Sequence, residues 1–364
     1  MNLSTPRVFI AATRQNEGKT TASLGLIAAL QKYFPRIGYI KPVGQRFVQI
    51  EEQKIDEDSV LMDAVYQLKC PLVDMSPIAV EPAFTRKYLE SANNETLVQR
   101  IREAFERVAW EKDFVLCEGS GHAGVGSVFD LSNAQVAKML GCKVILVTQG
   151  GIGKPIDEVC LNQALFEREG VEIIGVILNK AHEDKIPEIT RFVRAGLKRK
   201  GLELLGVLPH EQLLAHPTVE LIQEDLHAEL LNHPPTLNTL VEDVVVGAMG
   251  VHNAMQFFKR GTLIITPGDR EDILLAAGAT TVPQSEDKLA GIVLTGGLRP
   301  GESVLKAIQS LPVPVLLAQA DSYQVASRVH TLTVKTRPTD ARKIALIRDM
   351  VAQHVNVKKI VEAL

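Results

Sequence analysis

The chain has 364 residues, 46% of them apolar and 23% charged, which is too long for one ordinary domain of about 100–150 residues and too apolar for a disordered chain, so two globular domains are expected. A net charge of −3 leaves no basic excess for a nucleic acid or an anionic membrane, and neither partner is expected. Cys70, Cys117, Cys142 and Cys160 form no C-x-x-C pair and read as reduced, mostly buried thiols, and the histidines, among them His122, His182, His210 and His330, show no metal-ligand spacing, so no metal beyond Mg²⁺ is expected. With no signal-type apolar stretch and no apolar run of about 18 residues, a cytoplasmic protein is expected.

In chain order, short apolar runs alternate with segments of helical period, the pattern of a parallel sheet. Strands are predicted at 7–12, 37–43, 114–117, 143–148, 173–178 and 204–208, with helices at 18–33, 133–140, 155–168 and 186–200. Their continuous apolar character predicts strands covered on both faces. From 213 to 238 the composition turns to His216-Pro217, His233-Pro234-Pro235 and the acidic Glu224-Asp225, and a linker is predicted there. Alternation then resumes, with strands at 241–246, 262–266, 290–295 and 313–317 and helices at 251–259, 271–277, 302–309 and 323–329. The domains predicted are therefore 1–212, a linker 213–238, a second domain 239–340 and C-terminal helices over 341–364, with 1–212 expected to fold alone.

Between the first strand and the first helix stands Thr13-Arg14-Gln15-Asn16-Glu17-Gly18-Lys19-Thr20-Thr21. A loop there aims backbone N–H groups and a helix N-terminus at one point, as a phosphate chain requires. Gly18 would admit the phosphates closely, Lys19 would neutralise their oxygens, and the Thr20 hydroxyl would coordinate Mg²⁺. A P-loop nucleotide site binding ATP through Thr13, Asn16, Glu17, Gly18, Lys19, Thr20 and Thr21 is predicted. Glu118 closes the 114–117 strand and is placed to hold the metal; Lys41 closes the 37–43 run and is placed to stabilise a transferred phosphoryl group or an acidic substrate. Gly119, Gly121, Gly124 and Gly126 read as a loose loop open to a ligand, or equally as only a flexible turn. In the second domain, Asp269 and Arg270 read as a helix cap with an anion-binding or ion-pairing arginine, or equally as a structural turn.

These segments resemble two known families. Ala12–Thr20, the Gly38-Tyr39-Ile40-Lys41-Pro42-Val43 segment, Cys117-Glu118-Gly119-Ser120-Gly121 and Ile177-Leu178-Asn179 resemble dethiobiotin synthetase, an ATP-dependent P-loop ligase. That resemblance implies that Asn179 helps hold adenine and that a second magnesium-binding aspartate lies in 55–59, Asp58 or alternatively Asp56. Gly247-Ala248-Met249, Thr266-Pro267-Gly268-Asp269-Arg270-Glu271-Asp272 and Leu294-Thr295-Gly296-Gly297 resemble the DRTGG domain. The pair resembles the N-terminal part of long bacterial phosphotransacetylases, here without the acetyltransferase domain. Arg14 and Gln15 depart from the ligase pattern, and Arg14 holds the spacing to Lys19 of a signature lysine in dimeric P-loop relatives, a catalytic role on the leaving phosphate.

The fold class expected is α/β, a P-loop-type parallel sheet flanked by helices followed by a smaller α/β domain. The expected ligands are ATP, Mg²⁺ and a small acidic metabolite, in a homodimer or higher homo-oligomer. Two functions follow: a nucleotide-dependent regulatory or sensing protein, or an ATP-dependent ligase activating a carboxylate or carbamate through Lys19, Thr20, Lys41, Asp58 and Glu118.

Overall fold

The structure, a computed structural model, describes residues 4–280 and 289–364. Two compact units make up the chain: Met1–Glu211 together with Thr336–Leu364, and Gln212–Lys335.

The first unit is built on six strands in the order Leu204–Pro209, Ile173–Ala181, Lys143–Gln149, Arg7–Ala12, Phe114–Glu118, Ile37–Ile40. Every neighbouring pair is parallel. Arg7–Ala12 is buried along its whole length, as its unbroken apolar run demands of a central strand with helices on both faces. All six strands deliver their carboxyl ends, and the loops that follow, to one edge of the sheet.

Helix Lys19–Leu30 lies behind the first strand and is buried over most of its circumference. One side faces the sheet, while the other receives helix Ala341–His354 from the far end of the chain. Gly25 makes that approach possible, because a Cβ there would run into the Val351 side chain. Val355 then bridges to Gly206, and the Asn356 N–H donates to the Leu205 carbonyl at 2.8 Å. The C-terminal residues 341–364, expected as terminal helices, thus complete the first unit as Ala341–His354 and Val357–Ala363. Residues 1–212 do not contain all of that unit's core, contrary to the expectation that they fold alone, since Ile344, Ile347, Met350 and Val351 are buried in it.

Between Lys41 and Phe114 the chain adds an antiparallel hairpin, Phe47–Ile50 with Gln53–Asp56, and helices Glu57–Tyr66 and Glu95–Ala109, which the strand-by-strand reading leaves unassigned. Asp56 caps the first of these helices by accepting the Asp58 N–H at 2.9 Å.

The second unit holds a five-stranded sheet in the order Glu229–Leu230, Val315–Leu317, Gly291–Thr295, Thr262–Pro267, Asp243–Val246, parallel except for its short first strand. Residues 213–238, expected as a linker, are part of this unit. Thr218 caps helix Val219–Leu226, whose Val219, Ile222 and Leu226 pack into a core with Leu263, Ile265, Val293 and Leu316. The prolines and histidines of that stretch punctuate short elements, and the apolar spacing at 219, 222 and 226 is what buries them. No helix among the described residues is long and apolar enough to cross a membrane.

Candidate functional site

At the carboxyl edge of the first unit's sheet, the loop after Arg7–Ala12 is fixed from several directions. The Thr13 N–H donates to the Val147 carbonyl at 2.9 Å and the Ala12 N–H to the Gly121 carbonyl at 3.2 Å. Gly18, at φ 97°, is the left-handed residue immediately before helix Lys19–Leu30, a conformation that costs a side-chain-bearing residue about 1–2 kcal/mol. The Asn179 amide crosses behind it, donating to the Glu17 carbonyl at 2.9 Å, and a Cβ on Gly18 would collide with that amide. Lys180 donates to the Asn16 carbonyl at 2.8 Å. Asn179, expected at the adenine, therefore spends its amide N–H on bracing the loop. Thr13 and Glu17 are buried and Asn16 is exposed, while Thr20 and Thr21 are half-buried at the helix start. Lys19 is 9% exposed, at the first position of the helix.

Glu118 is fully buried at the end of its strand. The Thr20 hydroxyl donates to its Oε1 at 3.0 Å and the Tyr39 hydroxyl to its Oε2 at 3.2 Å. Burial first, and then the Asp58 carboxylate, push the Glu118 carboxyl above its usual range, with Lys41 opposing them. Burial, followed by the charge on Glu118, raises the Tyr39 phenol well above its usual range. Thr20 and Glu118 together suit a hard cation held by one carboxylate, a hydroxyl and phosphate oxygens, which is how Mg²⁺ is commonly bound. Mg²⁺ would meet Thr20 first, with Glu118 orienting that hydroxyl. Among the described residues no three of His, Cys, Asp and Glu gather closely enough to hold a metal by themselves.

Lys41, expected at a transferred phosphoryl group or an acidic substrate, and Asp58, expected at Mg²⁺, pair with each other. The Lys41 ammonium is buried against the Asp58 carboxylate and also lies 3.1 Å from Asp56 Oδ1. Burial works to lower its pKa, but Asp58, Asp56 and Glu118 outweigh that and hold the ammonium well above its ordinary range. Burial pushes the Asp56 carboxyl up, and Lys41 partly restores it. Asp56 thus caps a helix and flanks the lysine, while Oδ2 of its carboxylate has no hydrogen-bond partner among the described residues.

Arg14 lies on the outer side of the loop, its Nε 2.9 Å from Glu158 Oε1. Glu158 belongs to helix Gly153–Glu169 and also accepts the Thr13 hydroxyl at 3.2 Å. One turn on, Asn162 donates to the Thr13 carbonyl at 3.2 Å and accepts the Ala123 N–H at 2.8 Å. Tyr39, Glu158 and Asn162 are site residues that the sequence reading omits. Tyr39 stands inside a segment already quoted, whereas Glu158 and Asn162 carry only an i,i+4 polar pair on an otherwise amphipathic helix.

The glycine-rich loop is packed, not loose: the Asn133 side chain accepts the Ser120 N–H at 3.1 Å and donates to the Ser120 and His122 carbonyls at 2.9 and 2.6 Å. In the second unit Arg270 is engaged in a turn, pairing with Asp272 at 2.8 Å and donating to the Met249 carbonyl at 3.0 Å.

Residues 6–218 match the family model described as an AAA domain, and residues 221–332 match the DRTGG domain. The chain is similar to phosphate acetyltransferase of Nitratidesulfovibrio vulgaris, at 27% identity over 358 residues, covering 96% of this chain and 50% of that protein. It is also similar to phosphate acetyltransferase of Synechocystis sp., at 28% identity over 373 residues, covering 99% of this chain and 52% of that protein. The chain spans about half the length of these curated relatives. Among solved structures, the MinC:MinD cell division protein complex of Aquifex aeolicus is similar with a TM-score of 0.36 and 14% identity, over 58% of this chain and 84% of that one.

Proposed function

Because the chain belongs to the AAA domain family over residues 6–218 and carries a DRTGG domain over 221–332, we propose that it binds ATP with Mg²⁺ at the Thr13–Thr21 loop and acts as a nucleotide-dependent regulatory protein. The observation that carries the reading is the joined set of Gly18, Lys19, Thr20 and buried Glu118, in which a phosphate cradle and a cation-orienting carboxylate share the hydrogen bond from Thr20. Lys19 meets the phosphate oxygens, Thr20 the metal, and the helix N-terminus the remaining charge. Occupancy of the loop is read out through the DRTGG domain. Lys41 supports a sensing role over a transfer role, since it is buried between two carboxylates that a reacting phosphoryl group would have to displace.

A second reading, an ATP-dependent ligase acting on a carboxylate or carbamate, is favoured by the same cluster. Lys41, Asp56, Asp58 and Glu118 are more ionisable groups than nucleotide binding alone requires. Calorimetry with Mg·ATP on wild type and Lys19→Ala tests the site: loss of the charge-assisted contacts is expected to weaken binding about ten- to a hundredfold. Equal affinities would remove the nucleotide reading. ATP turnover with and without small acids and amines separates the two functions, stimulation favouring the ligase and tight binding with negligible turnover the regulator.

A further inference from the structure

We propose that Glu158 is a positioning residue that stores the Arg14 guanidinium away from the phosphate loop until a nucleotide phosphate competes for it; this rests on the reading of the loop as a nucleotide site. A phosphate-binding loop gains nothing by itself from a carboxylate at its back, because the two anions repel. Yet the Glu158 side chain is 8% exposed, pressed against the first residue of the loop through the Thr13 hydroxyl, while the Arg14 side chain is 59% exposed. The carboxylate is therefore the fixed member of the pair, and the arginine the member that can move.

The pair is also loosely made. Arg14 Nε stands 2.9 Å from Glu158 Oε1, but that oxygen makes no hydrogen bond of good geometry among the described residues. An ion pair with an exposed arginine is worth little, so a doubly charged phosphate group can win the guanidinium. Departure of Arg14 does not leave a bare buried charge, because Lys154, one turn before Glu158, lies 3.7 Å from the same oxygen and the Thr13 hydroxyl stays bound. Glu158 is felt inside the loop: after burial and against Lys180, its charge helps raise the Glu17 carboxyl. A stored arginine offsets that field when the loop is empty, and a released one serves the phosphate when it is full.

A double-mutant cycle on the full chain tests this, with Mg·ATP affinity read by calorimetry in wild type, Glu158→Gln, Arg14→Ala and the double variant. Glu158→Gln keeps the shape and frees Arg14, so affinity is expected to rise about two- to fivefold. The gain is expected to shrink in the Arg14→Ala background to what relief of the Glu158 repulsion alone gives. An equal gain in both backgrounds would mean that Glu158 acts only as a general negative field, and an unchanged affinity in a folded Glu158→Gln protein would make it a structural anchor; either overturns the proposal. If Glu158→Gln does not fold, Lys154→Ala at an exposed position carries the same comparison. With its second cation gone, Glu158 should hold Arg14 harder, weakening ATP about two- to threefold with Arg14 present and by less in Arg14→Ala, where only the loss of the Lys154 charge is felt; equal weakening overturns the proposal. If wild type binds no Mg·ATP, the nucleotide reading itself fails, which is distinguishable from additivity in a protein that binds.

Discussion

Lys41→Met is the substitution whose cost follows most directly from the geometry. Methionine fills nearly the same volume, so packing changes little and the change is electrical. Removing the ammonium leaves Asp56, Asp58 and Glu118 as three buried carboxylates that influence one another without their shared cation. Breaking a buried pair from one side typically costs about 3–5 kcal/mol. At about 2–4 °C per kcal/mol for a domain of 150–250 residues, the first unit's melting transition should fall by about 6–20 °C near pH 8. The pH dependence has a definite sign. The lysine, raised in the folded state, contributes stability that is complete below its unfolded pKa of about 10.5, so its own titration changes nothing between pH 5 and 8. Asp56 and Glu118 are raised in the folded state, so their penalty is full at high pH and shrinks as pH falls toward their unfolded values of about 4. Scanning calorimetry on both proteins at pH 8 and pH 5.5 should show a gap that narrows on acidification. A gap under about 2 °C at pH 8, or one that stays constant with pH, would refute the account.

Three further outcomes are expected. Thr20→Val removes the hydroxyl that donates to Glu118 and that, on the proposed reading, meets the cation, and should cut Mg·ATP affinity at least about tenfold while leaving metal-free ATP affinity, measured in EDTA, within a few-fold; parallel losses in both conditions would contradict the assignment. A chain ending at residue 211 lacks buried Ile344, Ile347, Met350 and Val351, each worth roughly 1.5–3 kcal/mol of burial and together comparable with a domain's whole stability; it should bind a hydrophobic dye and melt without a cooperative transition, and a full-height native melt would refute that. Ile222→Asp should destabilise the second unit by more than about 3 kcal/mol by chemical denaturation, because a charge enters a core, whereas a linker position would respond by under about 0.5 kcal/mol.

What was legible in the sequence was local or repetitive. The strands of the first sheet announce themselves because burial on both faces leaves no polar residue to interrupt them, as in Phe114–Glu118 and Arg7–Ala12. The loop is legible because Gly18, Lys19 and Thr20 act within one turn of backbone. Pairings across distance were not. Lys41 and Asp58 each look like a ligand for something external, and only the hairpin 47–56 that returns the chain shows them as partners. Glu158 reads as a solvated helix acid, and its burial depends on Thr13, 145 positions earlier. Helix Val219–Leu226 was hidden by its flanking prolines, and nothing in 341–364 names Gly25 as the place where it docks.

The division of the first unit between the two ends of the chain orders the events of its synthesis. Helix Lys19–Leu30 is made early, but the helix that covers its outer side, Ala341–His354, is made only after the whole of Gln212–Lys335. At a translation rate of about 5–20 residues per second, the nascent first unit waits roughly 7–30 s after residue 211 for the chain that closes it. In that interval the whole of Gln212–Lys335 is translated and can fold first. The face of Lys19–Leu30 around Gly25, which Val351 covers in the finished unit, is then open to chaperones, and a stalled ribosome would leave it so.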